Sequence, residues 1–327
     1  MASGIDSELR PGDWVQIKSP LEIAQTLDDE GMLDGLPFML EMLELCGQNA
    51  VMARRAEKTC IEFPGGGYKI REFLNNNTFV LEGLRCSGKA HDGCQRGCTL
   101  FWKKSWLRKV DGQEAAAPDN FAGQEELRAK LKTKASPTRY VCQSTELARA
   151  TIPLTRPRIL LKCLHDLQSG SRSVMETSWL VLIPAWRKAT RRIRRGRLTG
   201  TLKKTPVGRL GLQAGEWVTI KPESEVVKTL DNCGRNRGLI FDEGMGDHGN
   251  KKFRVRQRLD RMISEPTGEM RYMDATVILD GLKCTCSNVL GGCPREDFTY
   301  WREIWLQRTD ETVLSSCPHE DPEHCAR

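Results

Sequence analysis

Long apolar runs are missing from this 327-residue chain. The longest candidate, SWLVLIPAW at 178–186, is about half of the roughly 18 residues a membrane span requires, so no membrane contact is expected. The opening MASGIDSELRPGDW has neither a basic start nor an apolar core, which excludes an ordinary secretory leader and makes a cytoplasmic location the expectation. Histidine is scarce, with five in all. A Ser-His-Asp triad would therefore have to use His91 or His165, and His165, in LKCLHDLQSG, reads as a helix-surface or packed residue. There is no G-x-x-x-x-G-K-[ST] loop, no G-x-G-x-x-G after a strand, no G-x-S-x-G elbow and no H-E-x-x-H. The glycine run PGGGY at 64–68 has no following Lys-Ser or helix and reads as a turn.

Cysteine, by contrast, is abundant, at 13 residues. In a short secreted protein they would be a disulfide framework. In a long chain with an odd number and no leader, metal ligation or buried thiols in a reducing compartment is the better reading. Charge is uneven too. Arg187 to Arg209 holds ten basic residues and no acidic one, against a net charge of +7 for the whole chain.

The chain is a duplication. PGDWVQIK at 11–18 matches AGEWVTIK at 214–221, and Thr26-Leu27-Asp28 matches Thr229-Leu230-Asp231 at the same offset. LEGLRC at 81–86 then matches LDGLKC at 279–284, and FWKKSWL at 101–107 matches YWREIWL at 300–306. Two copies are too few for a solenoid, so each is expected to be a domain. Each opens with strand-like alternation, Val15 and Ile17 on one face, Trp14 and Gln16 on the other. Ser19-Pro20-Leu21-Glu22 has the form of a capping box with Pro at the first helical position. PTGEM at 266–270 reads as a turn between strands. Trp102/Trp106 and Trp301/Trp305 fit barrel core better than a nucleobase platform.

A mainly β fold follows: two short, twisted β-barrels at 8–111 and 211–311, each with a short helix and an inserted cysteine loop. A partly helical basic connector, 112–210, is expected to sit outside both, and a polar tail, 312–327, follows. The GDWV and GEWV openings resemble the first strand of SH3-like or KOW-type barrels. The whole pattern resembles uncharacterised bacterial proteins with two Cys-containing SH3-like halves, a resemblance that implies the barrel fold and no activity.

The loop CSGKAHDGCQRGC at 86–98 is the main chemical signal. Aligning Gly47 with Gly249, each before a basic strand, pairs Cys46 with His248. Cys86 pairs with Cys284 and Cys94 with Cys293. A Cys-to-His exchange is what tetrahedral zinc tolerates and a disulfide does not. Cys46, Cys86, Cys94 and Cys98 are therefore the expected zinc ligands of the first copy, with Cys60 and His91 in reserve. His248, Cys284 and Cys293 are expected to converge in the second, with Cys286 in reserve. There Cys60 aligns with Met262 and Cys98 with Asp297. An iron–sulfur cluster is the alternative, although C-x7-C-x3-C matches neither ferredoxin spacing. Plain buried thiols are another. Cys142, beside Glu146 in sequence, reads as packed rather than nucleophilic. The tail residues Cys317, His319, His324 and Cys325 read as a disordered end.

The run bearing Arg191, Arg192, Arg194, Arg195 and Arg197 can neutralise phosphates, or simply be a solvated connector. The functional expectation is a non-enzymatic, zinc-stabilised binding or adaptor protein whose partner is nucleic acid, another polyanion or a protein. The alternatives are a metal- or thiol-dependent enzyme or enzyme subunit, and an iron–sulfur electron carrier.

Overall fold

The computed structural model describes residues 9–63, 68–112, 123–155, 198–284 and 295–309, and ten single positions between 156 and 197. The fold is mainly β. The first copy contributes β1 (Trp14–Ile17), β2 (Met32–Leu33), β3 (Leu36–Pro37), β4 (Asn49–Arg55), β5 (Lys58–Glu62), β6 (Tyr68–Phe73), β7 (Thr78–Arg85), β8 (Thr99–Lys103) and β9 (Leu107–Lys109), with β10 (Thr151–Pro153) following. The second contributes β11 (Trp217–Ile220), β12 (Arg235–Asn236), β13 (Leu239–Ile240), β14 (Lys252–Arg258), β15 (Arg261–Ile263), β16 (Met270–Tyr272), β17 (Thr276–Lys283), β18 (Phe298–Arg302) and β19 (Leu306–Arg308).

Two five-stranded sheets have the same order, β8-β7-β4-β1-β9 and β18-β17-β14-β11-β19. The likeness extends to register. Trp14 faces Val51 and Trp217 faces Arg254; Met52 faces Leu81 and Val255 faces Leu279, with a bulge after Met52 and after Val255. The alternation at Val15 and Ile17 is realised, both fully buried. The capping box also forms. Ser19 Oγ accepts from the Glu22 amide, and the Glu22 carboxylate accepts from the Ser19 amide, at the start of α1 (Pro20–Ala24).

The tryptophan pairs are core. Trp102, Trp106, Trp301 and Trp305 are all 0% exposed, which removes them as a nucleobase platform. Phe38 meets Trp106 edge-on at 5.2 Å, and Phe241 meets Trp305 at the same distance. Each inner indole N–H is satisfied alike, by Thr26 Oγ1 at 3.0 Å and Thr229 Oγ1 at 3.1 Å. Trp301 Nε1 donates to Thr299 Oγ1 at 2.9 Å, whereas Trp102 Nε1 is buried without a partner. Burying four indoles, three of them with satisfied N–H groups, is how two small sheets acquire a core.

The register corrects two sequence alignments. Gly47 N donates to Ile17 O and Asn250 N donates to Ile220 O, each at 2.8 Å, and both residues have positive φ, 79° and 63°. Gly47 therefore corresponds to Asn250, Cys46 to Gly249, and His248 to Leu45. Glycine and asparagine both reach the left-handed region, so the position survived as a conformation rather than as a residue type. In the hairpins, Cys60 faces Ile70 and Ile263 faces Met270, so Cys60 corresponds to Ile263, not Met262.

Two compact units form. The first comprises Met1–Thr190, Arg261–Tyr272 and Lys283–Phe298; the second comprises Arg191–Asp260, Met273–Leu282 and Thr299–Arg327. The first unit thus takes up the β15–β16 hairpin and, on either side of the β17–β18 connection, the described residues 283–284 and 295–298. It also takes up much of the connector, which was expected outside. Helix α2 (Gln124–Lys130) packs on α1, α3 (Gln143–Ala150) packs on β3, and β10 pairs with β6. Leu127, Leu147 and Ala150 are buried in the same core as Trp102. At Gly31 a Cβ would lie 2.6 Å from the Lys130 carbonyl, so the connector's backbone sits directly on this glycine. No helix among the described residues is long and apolar enough to cross a membrane.

Candidate metal centre

The loop 86–98 leaves β7 and returns to β8, and its neck is closed by Cys86 N donating to Cys98 O at 2.8 Å. Inside it Gly88 O accepts from both His91 N and Gly93 N at 3.0 Å. Gly88 has φ 68°, and a Cβ there would lie 1.9 Å from the Cys94 carbonyl oxygen. Only glycine permits this turn. Its effect is to drive His91 inward, where the residue is 1% exposed.

Both ring nitrogens of His91 are engaged. Nε2 lies 2.9 Å from Val141 O, a pure acceptor, so Nε2 carries a proton and donates. Nδ1 lies 2.5 Å from Glu41 Oε1. Glu41 comes from the 3-10 turn Leu40–Leu45, and its Oε2 is buried with no hydrogen-bond partner. Cys86 Sγ lies 3.8 Å from Glu41 Oε1. Among the described residues Glu41, Cys86 and His91 are the one group of three or more potential ligands whose atoms all lie within 4.8 Å of one another.

Burial alone would raise the Glu41 carboxyl and lower the His91 imidazolium. Their hydrogen bond and mutual attraction outweigh it, so Glu41 is held below and His91 above the ordinary value. Burial, followed by the Glu41 charge, pushes the Cys86 thiol well up. Without a cation the trio is therefore carboxylate, imidazolium and neutral thiol, with zero net charge. With a divalent cation it would be carboxylate, neutral imidazole and thiolate around a +2 charge, again zero. The donor set fits zinc, which accepts O, N and S ligands. The Nε2–H···O=C bond to Val141 is the outer contact that fixes a ligating histidine's tautomer and orientation.

The other expected ligands lie elsewhere. Cys46 Sγ points back to Met42 O at 3.8 Å, and burial pushes its thiol up to about 12. Cys94 is buried and its sulfur accepts from the Ile263 amide at 3.4 Å. Cys98 occupies the position that Asp297 holds in the second copy: Cys86 N bonds Cys98 O, and Cys284 N bonds Asp297 O at 2.7 Å. Cys94, Cys98 and Cys142 line a cavity of about 20 Å³ with Cys86 and His91 but are not in the close group. Cys60 is buried in β5 and its carbonyl accepts from Arg295. Cys142 is the packed residue expected, at the head of α3, while Glu146 pairs with Arg139 at 3.0 Å.

In the second copy His248 is a packed ring against Phe253 and Trp301, and burial lowers its pKa. His248 belongs to the second unit and Cys284 to the first. Gly244 stands where the first copy has Glu41, so the carboxylate donor is not duplicated. Cys286, Cys293, the run from Arg191 through Arg192, Arg194 and Arg195 to Arg197, His165, the residues of PGGGY before Tyr68 and the C-terminal tail lie outside the described residues.

Two participants escaped the sequence reading, Glu41 and Val141. Glu41 left one trace, an acid within the otherwise apolar segment PFMLEML. Val141 acts through its carbonyl, which no side-chain pattern reveals. No protein-family model, no curated protein and no solved structure matches the chain.

Proposed function

We propose that the chain is a non-enzymatic binding or adaptor protein built on two SH3-like barrels, the first stabilised by one zinc ion held by Glu41, Cys86 and His91. The observation that carries the reading is the convergence of three different donor types within 4.8 Å in a buried site, with one carboxylate oxygen otherwise unpartnered. The ion would tie the cysteine loop to the 3-10 turn, and His91 Nε2 would extend the tie to the connector through Val141. Metal binding of this kind contributes directly to folding free energy and releases protons, here one from Cys86 and one from His91.

The adjoining cavity supports a structural rather than a catalytic role. At about 20 Å³ it has room for one water and none for a substrate. An all-thiolate cluster needs four cysteines, whereas Cys94 Sγ is engaged by Ile263 N and Cys98 sits with Arg96 and Arg295. The described cysteines are all free thiols, which suits a reducing compartment. Cobalt substitution tests the reading. The native chain is expected to show a thiolate-to-cobalt charge-transfer band and tetrahedral visible bands, and Cys86→Ser is expected to lose the former. A native spectrum without a thiolate band would overturn the assignment.

A further inference from the structure

The second sheet differs from the first on its solvent face. Along β14, Val255 is buried while Lys252, Arg254 and Arg256 are exposed. The matched registers put Asn49, Val51 and Ala53 at these positions in the first sheet. Three cations thus stand in one copy where the other has none. Trp217, the cross-strand neighbour of Arg254 on β11, is 42% exposed, whereas its counterpart Trp14 is half-buried. Arg254 Nε donates to Gly215 O at 3.1 Å, which fixes the guanidinium against the strand edge. Arg256, the extra residue of the bulge, faces Asp280 at 3.4 Å. Gly215, Arg254, Arg256 and Asp280 line one open groove, with two arginines against a single acid.

We propose that this face binds single-stranded nucleic acid, with a base stacked on Trp217 and phosphates on Lys252, Arg254 and Arg256. Positive charge selects a polyanion, and an exposed indole directly beside it supplies the stacking surface that a purely acidic partner has no use for. A five-stranded sheet face is too broad for a duplex groove, which admits a helix or a two-stranded ribbon, so unpaired bases are the fitting target. Alternate residues on a strand stand about 6.7 Å apart, which spaces Lys252 and Arg254 along an extended backbone, and the bulge adds Arg256 beyond them. The proposal names a partner for the binding reading above. It rests on that reading only in taking the chain to be a binding protein, not on the metal.

The test is fluorescence anisotropy of a labelled oligothymidylate titrated with the full chain, with zinc content measured on every sample. Binding is expected to weaken with salt. Trp217→Ala is expected to weaken it about tenfold, the scale of one lost stacking contact. Arg254→Gln with Arg256→Gln is expected to reduce the slope of log K against log salt by about 0.7 per lost phosphate contact. Trp14→Phe, in the first copy, is expected to change neither. No binding by the native chain at low salt would overturn the proposal. So would equal competition by polyglutamate with no effect of Trp217→Ala, which would indicate an acidic protein partner. Oligothymidylate binding by a native chain that carries no zinc would count against the metal assignment alone.

Discussion

Arg96 and Arg295 are repeat equivalents, each two residues before the close of its cysteine loop, and each donates to the hairpin of the other copy. Arg96 Nη1 lies 3.4 Å from Ile263 O, and Arg295 Nη1 lies 2.9 Å from Cys60 O, where Ile263 and Cys60 are themselves equivalents. Glu265 accepts from both guanidinium groups, at 3.1 and 2.8 Å, and Asp297 lies 2.7 Å from Arg295 and 3.6 Å from Arg96. Two cations and two anions thus close a buried neutral network within the first unit. These contacts tie Ile263, Glu265, Arg295 and Asp297 to the first unit despite their place in the second repeat.

A buried network is costly to break from one side. Arg295→Met leaves Glu265 and Asp297 sharing one guanidinium and removes the donor to Cys60 O. We expect a loss of about 3 kcal/mol in urea unfolding, with Arg295→Met plus Glu265→Met losing less than the sum of the single changes. Additive losses would mean that the two groups act independently.

Gly88→Ala tests the turn that presents His91. The added methyl must move the Cys94 carbonyl and adopt positive φ. The expected cost is about 2–3 kcal/mol in stability, seen in the thermal midpoint, together with weaker zinc retention. An unchanged midpoint would show that the loop takes another path.

The pH dependence is expected to centre on Glu296. Burial raises its pKa, but the hydrogen bonds and charges of Arg54 and Lys283 outweigh it and hold the carboxyl at about 2, from 4.5. A depressed carboxyl stabilises above its unfolded value and loses that contribution as pH falls through the folded one. Stability should therefore fall between pH 4.5 and 2, by about 2 kcal/mol after allowance for solvent at a side chain 28% exposed. Glu296→Gln should flatten that limb of a urea-midpoint profile. A variant with the native slope would assign the acid limb to other carboxylates.

Thr26→Val and Thr229→Val make a matched pair. Each leaves a buried indole N–H without its partner, at Trp106 or Trp305, and each should cost about 1–2 kcal/mol by calorimetry. Unequal effects would show that the two cores are less alike than their ring distances.

Much of this architecture could be read from local pattern. The strand alternation at Trp14–Ile17 and the cap at Ser19–Glu22 are set by residues within one or two turns, so spacing alone reveals them. The slip at Gly47 arose because alignment follows residue identity, whereas the chain kept a left-handed backbone and let Gly and Asn exchange. Glu41 was illegible because its burial depends on His91, fifty residues on, and the connector because α3 buries Gln143, Ser144, Thr145 and Glu146, polar residues that give no apolar period. The exchange between Arg96 and Arg295 joins residues about two hundred apart, and no periodicity encodes it.

The Glu41–Cys86–His91 centre is tested most directly by its metal content. Zinc per chain, measured by mass spectrometry on native protein purified under reducing, chelator-free conditions, should exceed by one equivalent the content of both Cys86→Ser and Glu41→Gln, with circular dichroism confirming that the Gln variant is folded. Equal zinc in all three proteins, or none in the native chain, would contradict it.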